Sequence, residues 1–275
     1  MVEAASSGQS TWTVTQYAGS KNYQSMFYTI RDQKGRLAVI DGGWEDNADS
    51  VLRVIEENGG TVDAWIITHP HPDHVGALNG ILRRGLTNRI RIKKIITVSV
   101  DEAYYKKTAK AHDSFSTYTD FKNLSKNIKT VYVRENDTLD LLGLKMKVLN
   151  AWSKDLRKYT SSICNCGSMM FRLDGKKTSM LFCADVMKKV EASIIKKHGA
   201  DLAATYVQCS HHGNHGLSKT FYDYVKAKGA FIDAPSFMTE DKTGTYTTPE
   251  LIQYFKDKGT KLYLWNKTRN SVTIR

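Results

Sequence analysis

The sequence predicts an α/β fold in which two mixed sheets pack face to face with helices outside, a four-layer αββα sandwich. Each half of the chain opens with runs typical of β-hairpins and continues into alternating strands and helices. The 275 residues, 41% of them hydrophobic, can bury a large core. We therefore expect a flexible tail over residues 1–10 and a single domain over residues 11–275.

The first half is predicted from alternating apolar residues and from glycine turns. β-type runs cover residues 12–17, 26–31 and 37–41, with a turn at Lys34-Gly35 and a glycine pair at Gly42-Gly43. Helical periodicity then alternates with apolar strand-like runs. It predicts helices over 49–58 and 73–84, strands over 64–68 and 94–100, and tyrosine-rich helical stretches up to Asn127.

The second half repeats this order. β-type runs cover residues 129–133, 144–149, 169–173 and 179–183, and Asp174-Gly175 is a strong hairpin signal between the last two. Strand and helix patterns then alternate to the end of the chain. The predicted helices cover 186–197, 218–228 and 249–258, and the predicted strands cover 205–209, 231–232, 261–264 and 272–274.

The formal net charge of +12 indicates that anions are attracted to the surface, so we expect an anionic small-molecule or polymeric substrate. The alternative is a lysine-rich surface that only keeps the protein in solution. Lysine pairs are scattered along the chain and form no continuous basic stripe. Nucleic acid is therefore a possible partner that the sequence does not favour. The oligomeric state is left open.

The sequence has neither an apolar run of the ~18 residues that a membrane-spanning helix needs nor a basic and apolar signal at its start. We expect a soluble protein, either secreted or at the cell surface after removal of a targeting segment, or else cytoplasmic. The four cysteines lack the paired CxxC spacing of a structural zinc site. Cys183 and Cys209 lie in apolar runs and are expected in the core.

The segment Thr68-His-Pro-His-Pro-Asp-His74 lies between a predicted strand and a predicted helix. Alternation places His69 and His71 on one side of an extended loop, and Asp73 and His74 project from the first helical turn. Imidazoles with a carboxylate at this spacing suit zinc, iron or manganese, and two ions ~3.5–4 Å apart could share the group. The other interpretation, a surface loop with Asp73 as helix cap, does not explain three histidines.

Two later positions offer further ligands for a two-metal site. Asp185 follows the apolar run 180–184, where a carboxylate would face the mouth of the sheet and bridge two cations; alternatively it caps the next helix. The segment Ser210-His-His-Gly-Asn-His-Gly216 carries His211, His212 and His215. We expect at least one of these three imidazoles to bind metal.

These positions resemble the metallo-β-lactamase superfamily, whose HxHxDH motif, later Asp and final His are matched in order by His69, His71, Asp73, His74, Asp185 and His211. The segments Asp41-Gly-Gly, 165–173, 182–185, His211-His-Gly and Thr248-Pro-Glu-Leu are similar to the branch that contains the ComEC C-terminal domain and a pneumococcal phosphorylcholine esterase module. The resemblance covers about residues 11–275 and implies one αββα domain.

The resemblance also implies a role for each residue. His69 and His71 would bind the first metal, Asp73, His74 and His211 the second, and Asp185 both. Asp41 would orient a ligand imidazole from behind, although a simple turn at Asp41-Gly-Gly is the alternative. The cofactor is two divalent ions, with zinc expected and iron or manganese as alternatives.

The sequence departs from the family pattern at two places. Lactonase-like members carry another His between the motif and the bridging Asp, but here the only histidine in that interval is His112, in a polar helical stretch. The first metal thus lacks one imidazole, and Asn165 is a candidate to offer a carbonyl oxygen, with a turn role as the alternative. ComEC-like sequences have a His before the Pro that matches Pro249, whereas Thr247-Thr248 stands here.

We therefore expect a metal-dependent hydrolase in which a hydroxide held between two metals attacks a phosphodiester or related phosphoester. Asp73, and His212 or His215 as a group that assists the leaving group, complete the expected catalytic residues. One alternative is a carbonyl-centred hydrolase acting on a lactone, thioester or β-lactam. The other is a DNA-binding module without turnover.

Overall fold

The computed structural model describes residues 10–19, 21–109, 114–159, 162–265 and 269–275. The strands in these residues are β1 (Trp12–Gln16), β2 (Phe27–Asp32), β3 (Leu37–Asp41), β4 (Thr61–Val62), β5 (Ala64–Ile67), β6 (Arg91–Ile92), β7 (Ile95–Val98), β8 (Thr130–Val133), β9 (Thr138–Leu141), β10 (Leu144–Asn150), β11 (Met170–Asp174), β12 (Ser179–Phe182), β13 (Tyr206–Gln208), β14 (Gly229–Ile232), β15 (Lys261–Leu264) and β16 (Asn270–Ile274).

The helices lie mainly between the parallel strands. They are α1 (Ala48–Glu57), α2 (Pro72–Arg83), α3 (Glu102–Thr108), α4 (Phe115–Leu124), α5 (Ile163–Cys166), α6 (Lys188–His198), α7 (Lys219–Val225), α8 (Ser236–Thr239) and α9 (Thr248–Asp257). Short 3₁₀ turns occur at Glu45–Asn47, Leu86–Asn88, Lys154–Lys158, Gly199–Leu202 and Ser210–Gly213. No helix in the described part of the chain is long and apolar enough to cross a membrane.

Two seven-stranded sheets share one plan. The first has the order β16-β1-β2-β3-β5-β7-β8 and the second β15-β14-β13-β12-β11-β10-β9. In each sheet, antiparallel hairpins occupy one side and parallel strands the other. Because parallel strands need helical crossovers, the helices fall on the outer faces. A small β4-β6 pair lies beside the first sheet.

Three apolar clusters separate the layers. The central cluster lies between the sheets and contains side chains of both, such as Ile40 and Ile66 from the first and Phe171 and Phe182 from the second. A second cluster packs α1 and α2 on the first sheet, and a third packs α6, α7 and α9 on the second. The predicted four-layer αββα sandwich of mixed sheets is therefore confirmed.

The predicted elements differ from the structure in a few places. The hairpin at Asp174-Gly175 is present as β11 paired with β12, whereas β9 and the β4-β6 pair were not predicted. The helix expected over 218–228 ends at Val225, because Lys226 adopts a left-handed conformation with φ of 53°. Most of the expected flexible tail, residues 1–9, lies outside the described residues. His112 lies outside them as well, within 110–113.

All four cysteines are buried, and burial raises the pKa of Cys183 and Cys209. Their expected place in the core is confirmed.

Candidate metal centre

The first set of site residues lies where β5 ends and α2 begins. β5 stops at Ile67, and α2 begins at Pro72, a favourable first position for a helix because proline lacks the N–H that this position leaves unpaired. The four potential metal ligands of this segment are buried, and they are His69, His71, Asp73 and His74.

Glycine lets this helix lie close to the loop that follows β3. A Cβ at Gly76 would come within 2.6 Å of the backbone nitrogen of Glu45 and 2.9 Å of the carbonyl oxygen of Gly43. Ala77 N–H donates to that same Gly43 carbonyl at 2.9 Å. The absence of a side chain at position 76 therefore allows α2 to hold its first turn, with Asp73 and His74, against the end of the first sheet.

The second set comes from the carboxyl ends of β12 and β13 in the other sheet. Asp185 follows β12 and is 2% exposed. His212 lies in the turn after β13, where His211 and His212 both have left-handed backbone angles, with φ of 51° and 57°. This conformation turns His212 into the interior, where it is 3% exposed, while the His211 side chain stays 25% exposed.

The donor atoms form two groups that share one carboxylate. His69, His71 and Asp185 make the first group, and Asp73, His74, Asp185 and His212 make the second. Within each group the donor atoms lie within 4.8 Å of one another. Asp185 Oδ1 is 3.2 Å from His74 Nε2, and its Oδ2 is 3.7 Å from His69 Nε2 and from His212 Nε2. Ligands about 2.1 Å from one ion lie roughly 3.4 Å apart in a tetrahedron, so these spacings fit metal coordination.

The hydrogen bonding of these atoms also fits a metal. Nε2 of His69, His74 and His212 and Oδ1 of Asp185 are buried, and among the described residues none has a hydrogen-bond partner of acceptable geometry. Buried polar atoms are otherwise almost always satisfied. Imidazoles with carboxylates are a donor set that suits zinc, iron or manganese. The residues therefore fit a two-metal centre.

Burial and charge act in opposite directions in this cluster. Burial lowers the pKa of His69 well below its ordinary value. Burial also opposes a charge on His74, but Asp185 and Asp41 outweigh it and raise its pKa well above the usual value. Burial disfavours ionised Asp185, yet His74 and His212 hold the pKa of its carboxyl well below its usual range. The metal-free cluster thus keeps the anionic carboxylate that a cation needs.

Asp41 lies directly behind His74. Its Oδ2 is 2.7 Å from His74 Nδ1 and accepts the Thr68 hydroxyl at 2.7 Å, while its Oδ1 accepts Thr68 N–H at 2.8 Å. A carboxylate at Nδ1 fixes the tautomer that leaves Nε2 free for a metal. The orienting role expected for Asp41 would use this contact, and the Asp41 backbone also makes a turn with φ of 51°.

The three histidines after β13 lie at different distances from the two donor groups. The resemblance assigned His211 to the second metal, but His212 belongs to that ligand group and His211 does not. His211 instead holds the carbonyl of Asn214 through Nδ1, and its Nε2 is 4.0 Å from Asp185 Oδ2. His212, expected to assist the leaving group, lies among the ligands. His215 is exposed and lines a different depression from the one above the site, so its expected catalytic role has no geometric support.

A cleft of about 550 Å³ opens above the cluster. Its lining is mixed, with polar residues beside the aromatic or apolar side chains of Trp44, Phe237, Met238 and Tyr246. Asn165 also lines it, and its Oδ1 is buried without a hydrogen-bond partner in the described structure. The lining includes no Lys or Arg among the described residues, so the basic charge of the chain lies elsewhere.

Sequence reasoning missed three polar residues beneath the site. Ser168 Oγ accepts the backbone N–H of Asp185 at 3.2 Å. Gln208 ends β13, and Asp233 follows β14, both at carboxyl ends of parallel strands. A polar residue that ends a short apolar strand is the same signal that pointed to Asp185, and it would have indicated Gln208 and Asp233 as well.

Part of the sequence matches a known protein family, and the fold matches solved structures. Residues 21–149 match the family model described as Metallo-beta-lactamase superfamily. The chain has the metallo-β-lactamase fold. The matched stretch contains the 69–74 ligand segment and ends before Asp185. The likeness to this family thus covers 129 of the 275 residues, and the ComEC-like branch stays a prediction.

Solved structures share this fold over almost the whole chain. The Bacillus subtilis metallo-β-lactamase fold protein YhfI aligns with a TM-score of 0.60 and 12% identity, covering 96% of this chain and 100% of that one. CmlA, a diiron β-hydroxylase from Streptomyces venezuelae, aligns with a TM-score of 0.58 and 14% identity, covering 94% of this chain and 54% of that one. A diphosphatase of the PhnP family aligns with a TM-score of 0.51 and 13% identity, covering 97% of this chain and 98% of that one. At these identities the likeness concerns the fold alone.

Curated relatives match a short segment. Hydroxyacylglutathione hydrolase of an Enterobacter species is 41% identical over 51 residues, which are 18% of this chain and 19% of that enzyme. Its counterpart from Photobacterium profundum is 38% identical over 56 residues, 20% of this chain and 21% of that enzyme. The match thus spans about a fifth of the length of these relatives.

Proposed function

We propose that the protein is a two-metal hydrolase of phosphodiesters or related phosphoesters, with zinc as its metal. The observation that carries the two-metal centre is the sharing of Asp185 by two buried ligand groups. His69 and His71 would hold one ion, Asp73, His74 and His212 the other, and Asp185 both. When bound, such ions lower the pKa of a coordinated water and polarise the bond under attack.

The protein's own residues account for the remaining requirements. Asp41 holds the ring of His74 so that Nε2 faces the carboxylate of Asp185. Ser168 supports the backbone of Asp185. The aromatic residues Trp44 and Tyr246 line the cleft and offer apolar surface to a bound substrate. The carboxylates of Asp73 and Asp185 leave two positive charges of a pair of divalent ions uncompensated, which attract an anionic substrate.

The composition of the cleft supports a phosphodiester over a phosphomonoester. Because the described lining contains no Lys or Arg, only the ions would neutralise the substrate. A diester carries one negative charge and a monoester up to two, so the diester needs less compensation. The first ligand group has three residues, so an ion held there would have positions left for water or for a phosphoryl oxygen.

A carbonyl-centred hydrolase is the second candidate. The segment match to hydroxyacylglutathione hydrolases favours it, because their name indicates a glutathione thioester as substrate. The same metal centre would serve a carbonyl carbon.

A substrate panel distinguishes the two. Zinc-, manganese- and iron-loaded protein is assayed with bis(p-nitrophenyl) phosphate, a phosphorylcholine ester, p-nitrophenyl phosphate, nitrocefin, a homoserine lactone and an acylglutathione thioester. We expect the highest kcat/KM on a phosphodiester, and a higher value on the thioester or lactone would replace the proposal with the second candidate. Asp185→Asn, purified identically, shows how much hydrolysis comes from contaminating enzymes.

A further inference from the structure

A buried polar network lies beneath the metal centre, between the two sheets. Its centre is Asp233, which is 1% exposed. Gln16 Nε2 and the Tyr28 hydroxyl donate to Asp233 Oδ1 at 2.7 and 2.6 Å, and Gln208 Nε2 donates to Oδ2 at 3.0 Å. Gln16 and Tyr28 belong to the first sheet and Gln208 to the second. The network therefore joins the two sheets at the edge that carries the ligands.

Gln208 connects this network to the bridging carboxylate. Its Oε1 accepts the backbone N–H groups of Cys183 and Ala184 at 3.0 and 2.8 Å, just before Asp185. Ala184 has a left-handed backbone with φ of 46°, a conformation that a residue with a Cβ adopts only when other contacts hold it. The Gln208 amide thus sets the direction in which the chain enters Asp185.

Asp233 connects the same network to the second ligand loop. Its backbone carbonyl is 3.0 Å from His212 Nδ1, which places the proton there and leaves Nε2 for the metal. Ala184 and His211 are joined as well, because His211 N–H donates to the Ala184 carbonyl at 2.8 Å. One network therefore holds the backbone before Asp185 and the ring of His212.

We infer that Gln208 and Asp233 form a positioning pair that sets the geometry of Asp185 and His212 and thereby the affinity of the centre for metal. The pair works through the direction of the Gln208 amide. Its oxygen must face the two backbone donors, so its NH₂ needs two acceptors, which are the Cys209 carbonyl and Asp233 Oδ2. The inference rests on the metal centre of the proposed function and is independent of the substrate class.

Asp233→Asn tests the pair. The Asn oxygen can still accept from Gln16 and Tyr28, but its NH₂ then faces the NH₂ of Gln208. Because two NH₂ groups in contact repel each other, one of the two amides must turn. If the Gln208 amide turns, Cys183 and Ala184 lose their acceptor. If the new Asn amide at position 233 turns, Gln16 and Tyr28 lose theirs. We expect the folded variant to bind zinc roughly 10–100-fold more weakly than wild type, the range typical of residues that support metal ligands.

The matched control is Asp32→Asn at the opposite end of β2, which makes the same change in a carboxylate that is 9% exposed and bonded to Arg36. Zinc affinity is measured by competition with a chromophoric chelator, at a temperature where circular dichroism shows each variant folded. A purely structural role would lower the melting temperature of metal-free protein and leave zinc affinity unchanged. Wild-type zinc affinity in folded Asp233→Asn would overturn the inference, whatever the substrate assays show.

The double variant Gln208→Glu/Asp233→Asn restores a matched pair. Glu at position 208 accepts from Cys183 and Ala184 with one oxygen and from the Asn NH₂ with the other. Its second oxygen cannot donate to the Cys209 carbonyl as Gln208 does, so the gain of the matched pair is set against one contact between two acceptors. We expect zinc affinity within about tenfold of wild type and above that of Asp233→Asn. If Asp233→Asn does not fold, this variant decides. Folding with recovered zinc binding supports the pair, and failure to fold or to bind zinc contradicts it.

Discussion

The two halves of the metal centre are built differently. In the first sheet, one loop and one helical turn supply His69, His71, Asp73 and His74 within six consecutive residues. In the second sheet, Asp185 and His212 come from separate loops after neighbouring strands, and both loops contain left-handed residues that are not glycine. The spacing of residues 69–74 alone brings the ligands of the first half together. The second half depends on buried hydrogen bonds that hold Asp185 and His212 in loops with an unfavourable backbone conformation.

The halves also differ in the number of their ligands. The group of His69, His71 and Asp185 offers three residues, and the group of Asp73, His74, Asp185 and His212 offers four. A site with fewer charged and imidazole ligands binds a cation more weakly. We therefore expect two ions of unequal affinity joined by one carboxylate.

Removing the shared ligand has the largest expected effect. Asp185→Asn takes an anionic ligand from both ions, and we expect hydrolysis to fall by more than the ~10–100-fold that supporting residues typically cost. The protein should remain folded, since the core lies away from the cleft. Activity within about tenfold of wild type, equivalent to ~1.4 kcal/mol of barrier, would contradict the two-metal centre. Asp174→Asn, on a partly exposed pair with Arg172 in the same sheet, is the control.

His69→Ala removes a ligand from the first group alone. We expect it to abolish hydrolysis with circular dichroism unchanged, while one ion per chain remains on the second group. Metal analysis alongside the rate checks this, and loss of both ions would show that the groups are not separable.

Two histidine variants sharpen the comparison of the loops. Because positions 211 and 212 both have positive φ, glycine suits either backbone, so His211→Gly and His212→Gly form a matched pair. We expect His212→Gly to lose the second ion and His211→Gly to change zinc affinity less than about tenfold. The reverse order in a zinc titration would return the ligand role to His211.

A smaller effect is expected behind His74. Asn tolerates the left-handed backbone of position 41, but its amide cannot accept from both Thr68 groups and His74 as the carboxylate does. Asp41→Asn should weaken zinc binding about 10–100-fold. Asp46→Asn, at an exposed ion pair with Lys21, should bind zinc like wild type. If Asp41→Asn and Asp46→Asn bind zinc equally well, Asp41 does not orient His74 and only forms the turn.

The smallest expected change concerns the open side of the first ion. Asn165→Asp replaces the unpartnered amide oxygen with a carboxylate, and we expect the first ion to be retained at higher chelator concentration. Unchanged retention would mean that Asn165 does not face that ion.

The sequence could predict the layers and the compact ligand segment because both depend on short-range patterns. Apolar alternation and turn residues specify β1, β2 and β3, and strand–helix spacing places His69 to His74 at a sheet edge. It could not choose between His211 and His212, since that choice depends on two left-handed residues held by contacts to Ala184 and Asn214. The positions of Gln208 and Asp233 at strand ends could be read from the sequence, but their hydrogen bonds to one another arise from packing between neighbouring strands.

Stepwise removal of metal tests the central claim most directly. Zinc-loaded protein is titrated with a mild chelator while zinc content and the rate of phosphodiester hydrolysis are recorded. The unequal ligand groups predict two zinc ions per chain that leave in two steps, with activity lost in the first step. One ion per chain at saturation, or loss of both ions in a single cooperative step, would contradict two unequal groups that share Asp185.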